Sequence, residues 1–485
     1  MTGCGPDRDC IHPPEDIGEL LESGAPRLRF LSGTTFILHP CLNMRMLFIV
    51  SEKGTFFSID RPFKNQATAS ANMETSSSKL LAGGLVITVS DEELAMDTAD
   101  AWFQEITARE MTVPDVTISL VGFAQETDAQ NLGNILRGFL IFFGKLMNLS
   151  SLSRVWVSYD YENTLLSLNR GTEIQTKLMP TQDDVAVGIA MTPAVIEDGA
   201  VKSVMVFNAT YLMALTQPEN EEIQPLYKRM LYLVAHECGH VHDLGMKVRS
   251  LPDTWLKVRL GRYDEALFEA AEGCWSEYIA SRLSAFMSPT ELTSDYETTF
   301  CDQVEKRLPA IRTSIRQYRM HADLTRVLSE CSYVVKKVFL YTGYLLRQLD
   351  GCDMSFADSA PKAASLLVLY PELRRIVEET HRELQALYAT YGEWTNLGVF
   401  APLKKLVLQL YAWLGLELQD KGEQGMYVNI PMTPDTVPSI AEQIELSGPR
   451  RSTNLCSHPS GEKTFSPSSP KRLSFLFLLG APRFA

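Results

Sequence analysis

The sequence has no CxxC pair, the spacing typical of zinc knuckles and thiol redox sites. Its nine cysteines are an odd number and lie scattered along the chain. Two of them, Cys238 and Cys274, fall inside apolar helical patterns, where a free cysteine usually acts as a small hydrophobic residue. This usage argues against a disulfide framework and predicts a protein of a reducing compartment.

Long hydrophobic runs are also missing. No apolar stretch reaches the roughly 20 residues that a helix needs to cross a bilayer, and the apolar runs at 47–50 and 475–479 are much shorter. The first 20 residues lack the basic-then-apolar layout of a secretory signal. We therefore expect a cytoplasmic protein without membrane association.

Positive charge is scarce. Lysine and arginine number 45 against 59 aspartates and glutamates, which gives a formal net charge of −14 and a pI near 5.2. Such a chain is poorly suited to bind phosphate backbones, so nucleic acid is not expected as a partner. The 45% of hydrophobic residues is typical of a globular protein with at least one sizeable core.

Four regions are predicted along the chain. Residues 1–80 are irregular and partly disordered, 81–300 form an α+β domain, 301–420 form a helical region, and 421–485 form a Ser/Pro/Gly-rich disordered tail. The fold class is α+β, with an N-terminal mixed β-sheet region followed by a mainly α-helical region. Strands followed by a run of helices favour this class over repeated βαβ units.

Local patterns give the individual elements. Strand candidates rich in Val and Ile lie at 84–90, 116–123, 154–159, 185–191 and 202–209. A capping box from Ser90 to Glu93 opens a helix, and a buried helix is predicted at 134–147. Later helices are predicted at 224–245, 262–285, 291–318, 320–350, 368–391 and 397–417.

The helix predicted at 224–245 carries the chemistry. It contains His236-Glu237-Cys238-Gly239-His240, an HExxH motif preceded by five uncharged residues. Positions i and i+4 share one face of a helix, so His236 and His240 can bind one metal ion together. Zinc accepts three protein ligands and leaves a fourth position for water. Glu237 can then accept the proton of that water as a general base.

Residues 231–285 resemble the HExxH zinc metallopeptidases, in particular the gluzincin-like group. The metzincin group requires HExxHxxGxxH, but here Asp243 stands at the glycine position and Met246 at the third histidine position. The resemblance implies one zinc ion and a peptide or protein substrate. It also implies a substrate-binding edge strand ahead of the motif, at 183–192 or 201–209.

The resemblance implies that the third zinc ligand is a glutamate on a later helix. The helix at 262–285 offers four, at 265, 269, 272 and 277. Glu277 lies on a face of small residues that allows close packing against the HExxH helix, so it is the preferred ligand. Glu272 shares its face with bulky residues and is the reserve ligand.

Other polar residues near the motif receive weaker assignments. Asp243, three residues after His240, could orient an imidazole by accepting its second N–H, and a surface aspartate is the alternative. His242 points away from His240 and is expected to be a bystander. Four residues are open candidates for stabilising an oxyanion: Tyr232, Tyr278, His321 and His381.

Two functions remain open from the sequence. The first is a zinc-dependent hydrolase, a metallopeptidase that cleaves peptide bonds. The second is a non-catalytic regulatory or binding protein whose zinc is structural or vestigial, since a fold alone does not fix an activity. A fourth protein ligand, Asp243 or Cys274, would favour the second.

Overall fold

The computed structural model describes residues 35–42, 44–51, 54–60, 105–106, 108–171, 177–180, 186–352, 355–422, 425–440, 442–443 and 476–480. The chain divides into two compact units, Met1–Arg109 and Glu110–Ala485. The strand predicted at 84–90 and the helix expected to open at Ser90 lie outside the described residues. So do most of the N-terminal region and of the tail that were predicted to be disordered.

The first unit contains a three-stranded antiparallel sheet, made of β1 (Thr35–Leu42), β2 (Met44–Ser51) and β3 (Gly54–Asp60). The strand order is β1-β2-β3. These strands fall within the region 1–80, where the sequence predicted only short apolar pieces.

The second unit contains eight strands among its described residues. They are β4 (Thr117–Val121), β5 (Leu152–Ser158), β6 (Ala186–Met191), β7 (Ala194–Glu197), β8 (Ala200–Asn208), β9 (Glu417–Asp420), β10 (Met426–Asn429) and β11 (Leu476–Gly480).

The described residues of this unit form twelve α-helices, four of which are short helices that the sequence did not predict. They are α1 (Glu126–Leu146), α2 (Tyr161–Ser167), α3 (Ala209–Leu212), α4 (Gln224–Ser250), α5 (Arg262–Leu283), α6 (Thr290–Asp302), α7 (Leu308–His321), α8 (Leu324–Cys352), α9 (Phe356–Ser359), α10 (Pro361–Val368), α11 (Pro371–Ala389) and α12 (Ala401–Leu414).

The main sheet has the order β11-β6-β8-β5-β4, with β7 also paired to β8. Strands β4, β5 and β8 run parallel, whereas β6 and β7 run antiparallel to β8. A mixed sheet followed by helices confirms the predicted α+β class. The sheet nevertheless contains one βαβ unit, β4-α1-β5, which the strand-then-helix pattern did not predict. Strands β6 and β8 are each paired on both sides, so neither 183–192 nor 201–209 is the substrate-binding edge strand that the resemblance implied.

Most of the predicted helices have different bounds in the structure; α1 begins before its predicted start, and α4 extends to Ser250. The segment predicted as one helix at 291–318 is split into α6 and α7 by a π-helical turn, Gln303–Arg307. The last helix ends at Leu414 because Gly415 adopts φ +104°, a left-handed conformation that favours glycine. There Leu416 N donates to Tyr411 O and Gly415 N to Ala412 O, which closes the helix as a Schellman motif.

Helices α4 and α5 pack closely because of a glycine. A Cβ atom on Gly239 would lie 2.7 Å from Ala280 Cα and 2.9 Å from Ala280 O. On the other side of α5, a Cβ on Gly343 of α8 would lie 2.4 Å from Cys274 O. Helix α5 is thus held tightly between α4 and α8, and the small-residue contact predicted for α4 and α5 is present.

A substitution at this contact should destabilise the protein. We expect Gly239→Ala to lower the free energy of unfolding by about 1–3 kcal/mol, because the added methyl group overpacks a backbone contact. Gly245→Ala on the same helix is the matched control, since its Cβ would lie 3.5 Å from Ser151 Oγ, an ordinary contact. Urea unfolding of both variants checks this. Equal effects of the two changes would contradict the close α4–α5 contact.

One described stretch, Leu397–Leu414, is long and apolar enough to cross a membrane, with a mean hydropathy of 1.2. It includes α12, which buries Leu403, Leu406, Val407 and Leu410 within the protein. A core helix meets the same length and hydropathy criteria, so the stretch is weak evidence for a membrane span.

Candidate metal centre

The HExxH histidines and Glu277 come together in the core. His236 Nε2 lies 2.9 Å from His240 Nε2 and 3.2 Å from Glu277 Oε2, and His240 Nε2 lies 3.6 Å from the same carboxylate oxygen. Helix α4 supplies the two imidazoles at i and i+4, and α5 supplies the carboxylate. These residues form a buried group that could hold a metal ion.

The spacing of the three ligand atoms fits a tetrahedral ion. Bonds of about 2.0–2.1 Å at tetrahedral angles would place ligand atoms about 3.3–3.4 Å apart. The observed separations of 2.9, 3.2 and 3.6 Å bracket this value. In the described part of the chain, neither oxygen of Glu277 accepts a hydrogen bond of normal geometry. A buried carboxylate without donors is costly, and a cation between it and the imidazoles would remove that cost.

The second nitrogen of each imidazole faces a hydroxyl group. His240 Nδ1 lies 3.0 Å from Ser276 Oγ, and His236 Nδ1 lies 3.2 Å from Ser281 Oγ and 3.3 Å from Tyr232 Oη. A metal bound at Nε2 requires the proton on Nδ1, which then donates to an outer group. The hydroxyls therefore hold both rings with Nε2 directed at Glu277.

A buried arginine determines which groups donate and which accept hydrogen bonds around His236 Nδ1. Arg347 of α8 donates through Nη1 to Tyr232 Oη, so the phenol oxygen accepts there. The phenol proton can then go to Ser281 Oγ, 3.4 Å away. Tyr232 Oη keeps a second lone pair for the Nδ1 proton of His236. Arg347 thereby favours the tautomer of His236 that can bind a metal ion.

Glu237 lies beside His236, His240 and Glu277, and only one of its carboxylate oxygens is hydrogen-bonded. Its Oε2 accepts a hydrogen bond from Thr192 Oγ1, immediately after β6. Its Oε1 has no hydrogen-bond donor among the described residues. The carboxylate is thus oriented by one oxygen and has the other available to accept a proton.

Burial and mutual charge shift the ionisation of these groups. Burial lowers the pKa of His236 to about 3 and raises the pKa of Glu237 to about 7. Burial acts to raise the pKa of Glu277, but His240 and His236 outweigh it and lower that pKa to about 2. Burial acts to lower the pKa of His240, yet the Glu277 carboxylate outweighs it and raises that pKa. An ionised carboxylate beside a neutral His236 suits a divalent cation, which would compete with proton binding at His240.

Asp243 and Glu272 lie away from the two imidazole Nε2 atoms. Asp243 accepts hydrogen bonds from Trp275 Nε1 and Tyr391 Oη, and it forms an ion pair with Lys247. Glu272 pairs with the same ammonium group. Because Lys247 is fully buried, it needs these two carboxylates as counter-charges. The prediction that Asp243 orients an imidazole is corrected: Ser276 and Ser281 take that position. The structure brings Glu277, not the reserve Glu272, to the imidazoles.

The remaining polar candidates also have other partners. His242 Nδ1 accepts from Asn148 N at 2.7 Å, as expected for a bystander. His321 Nδ1 accepts from Asp323 N at the end of α7. Tyr278 and His381 both bind Asp350. Tyr232 faces the Nδ1 side of His236, not the Nε2 side, so none of the four oxyanion candidates borders the ligand atoms directly.

Sequence reasoning missed Thr192, Ser276, Ser281 and Arg347. Both serines stand on the Glu277 helix at positions −1 and +4, a local spacing that could have indicated them. Thr192 and Arg347 lie 45 and 110 positions from Glu237 along the chain, and only the fold brings them to the site, so no local pattern indicates them.

The comparisons with known proteins add no relative: no family model, curated protein or solved structure matches the chain. The site is therefore supported by its own geometry.

The two serines should matter for metal affinity. We expect Ser276→Ala and Ser281→Ala each to weaken zinc binding about 10–100-fold, because an imidazole loses its outer partner. Ser284→Ala at the C-terminal cap of the same helix is the control, since that hydroxyl donates to helix carbonyl groups, Ala280 O and Ser281 O. Isothermal titration with zinc measures all three. An equal response of the control and the other two would contradict the orienting role.

Proposed function

We propose that the protein is a zinc-dependent hydrolase of the HExxH type, a metallopeptidase that cleaves peptide bonds. The observation that carries this proposal is the convergence of His236, His240 and Glu277 beside a carboxylate with one oxygen free, that of Glu237. Two imidazoles and one carboxylate are a common donor set of catalytic zinc sites, which keep one position open. One zinc ion is the proposed cofactor, and a peptide or protein is the proposed substrate.

The roles of the residues follow from their positions. His236, His240 and Glu277 would hold the ion, which supplies Lewis acidity when it is bound and lowers the pKa of a water molecule. Glu237 would accept the proton of the attacking water at Oε1, while Thr192 keeps Oε2 in place. The same carboxyl group would then give the proton to the leaving amine. Among the described residues the metal-binding group has three members, and neither Asp243 nor Cys274 belongs to it. Three protein ligands favour an open fourth position over a closed structural site.

The alternative is a non-catalytic binding or regulatory protein with structural or vestigial zinc. Its support is the burial of the triad, since the exposed fraction of the side chains is 0% for His236, 5% for His240 and 0% for Glu277. A substrate has to gain access to such a site before any reaction. Zinc bound without hydrolysis of any peptide would favour this alternative.

A cytoplasmic location is proposed as well. The cysteines Cys238, Cys274, Cys301 and Cys331 are free, which suits a reducing compartment.

Zinc removal tests the catalytic proposal. Zinc-loaded protein is incubated with a mixed peptide library, and new amino termini are counted by mass spectrometry. We expect hydrolysis to cease after chelation and to return on addition of one equivalent of zinc. Hydrolysis that continues in metal-free protein would contradict the proposal.

A further inference from the structure

A large cleft among the described residues lies next to the loop that joins α4 to α5. Its volume is about 1470 Å³, and residues 254–262 form much of one wall. Pockets for single small molecules usually have volumes of about 300–1,000 Å³. The cleft therefore has room for an extended segment of polypeptide.

The charge of the cleft is opposite to that of the chain. Lys257, Arg259 and Arg262 line it and are exposed, and none of them has a carboxylate partner among the described residues. Arg170 also lines the cleft, and Glu265 is its one described acidic residue. The described lining thus carries four cations and one anion in a chain of net charge −14. An acidic ligand would be attracted to this cleft more than to the rest of the surface.

Apolar side chains also line the cleft. Phe268, Leu328 and Met426 belong to the same lining. A ligand that fills the cleft should therefore present apolar groups as well as negative charge. A polypeptide segment with alternating acidic and apolar side chains has both, whereas a nucleic acid would bring a dense row of phosphates towards an acidic protein.

The cleft adjoins the metal centre. Trp255 and Leu256 line the cleft and also line a small cavity of about 20 Å³, whose other walls include Thr192, His240 and Ser276. Leu256 has φ +59°, a strained conformation for a leucine, and such strain is often found at functional sites. The Trp255–Leu256 pair thus separates the open cleft from the buried ligands.

We propose that this cleft binds an acidic, apolar segment of the polypeptide substrate and is the route by which the substrate reaches the metal centre. The inference rests on the proposed function and adds the class of substrate and its point of entry. The Trp255–Leu256 pair has to move aside for the substrate to reach His240.

Peptide binding to two charge-matched variants tests this. The binding variant is Lys257→Gln/Arg259→Gln/Arg262→Gln. The control is Arg374→Gln/Arg382→Gln/Lys405→Gln, which removes three exposed cations elsewhere; with the Glu237→Gln change that both proteins also carry, each has a formal net charge of −14 − 3 + 1 = −16. Each is made in zinc-loaded, full-length protein that also carries Glu237→Gln, to prevent turnover. The probes are a fluorescein-labelled peptide of alternating Glu and Leu and its Gln/Leu counterpart.

Fluorescence anisotropy at low salt should show the acidic peptide binding more tightly than its neutral counterpart. We expect the binding variant to lose about tenfold in affinity for the acidic peptide, since each exposed ion pair contributes modestly. The control variant should keep its affinity. An equal loss in both variants, no loss in the binding variant, or tighter binding of a single-stranded oligonucleotide of the same charge would overturn the inference.

The two proposals fail separately. If the acidic peptide binds the cleft but no peptide is hydrolysed by the unmodified protein, the cleft assignment stands and the proposed function fails. If peptides are hydrolysed without preference for acidic segments, and the Lys257/Arg259/Arg262 triple substitution made in protein that keeps Glu237 cleaves them as fast as the control triple substitution in the same background, the function stands and the cleft assignment fails.

Discussion

Replacing Glu277 by glutamine should remove specific zinc binding. The substitution keeps the size of the side chain but takes away the negative charge that faces both imidazoles. A lost ligand should cost more than the roughly 10–100-fold that the loss of an outer partner costs. Zinc content after dialysis, measured by atomic emission, should fall from one ion per chain to near zero.

Glu272→Gln is the matched control on the same helix. It removes a buried carboxylate that pairs with Lys247, so it should destabilise the fold while the ligands stay in place. Zinc binding by folded Glu272→Gln protein should persist. If Glu272→Gln loses zinc and Glu277→Gln keeps it, the assignment of the third ligand is wrong.

Replacing Glu237 by glutamine should abolish most of the hydrolysis and leave zinc binding intact. Glutamine keeps the contact with Thr192 but cannot accept the proton of the attacking water. General base catalysis typically contributes about 10²–10⁴-fold to a rate. We therefore expect kcat/KM for a cleaved peptide to fall by about this factor, with zinc content unchanged.

Glu269→Gln serves as the control for this substitution, because Glu269 lies on another face of α5 and pairs with Lys336 of α8. It should keep the parent rate. A Glu237→Gln protein that hydrolyses peptide as fast as the Glu269→Gln protein would leave only the binding or regulatory alternative.

The local part of the site could be predicted from the sequence. His236 and His240 share a helix face through their spacing alone, and the helix bounds depend on apolar periodicity and terminal residues. The choice of Glu277 over Glu272 rested on its small neighbours. That choice agrees with the packing, since Gly239 and Ala280 meet at the α4–α5 contact.

The non-local part could not be predicted. Asp243 was expected to orient an imidazole because it follows His240 by three residues. In the structure, Asp243 instead accepts hydrogen bonds from Trp275 and Tyr391 and pairs with Lys247. Tyr391 lies 148 positions away along the chain. The partner of a buried carboxylate depends on how α4, α5 and the later helices are rotated against one another. The hydrophobic pattern of a single helix does not predict that rotation. The β4-α1-β5 crossover was missed for the same reason, because strand pairing is a contact between distant segments.

X-ray absorption spectroscopy of the zinc-loaded protein is the most direct test of the metal centre. The geometry predicts one zinc per chain with two imidazole nitrogens, one carboxylate oxygen and one further light ligand, at about 2.0–2.2 Å. The spectrum should change in Glu277→Gln protein and stay the same in Glu272→Gln protein. A sulfur ligand at about 2.3 Å, or a spectrum without imidazole scattering, would contradict the account.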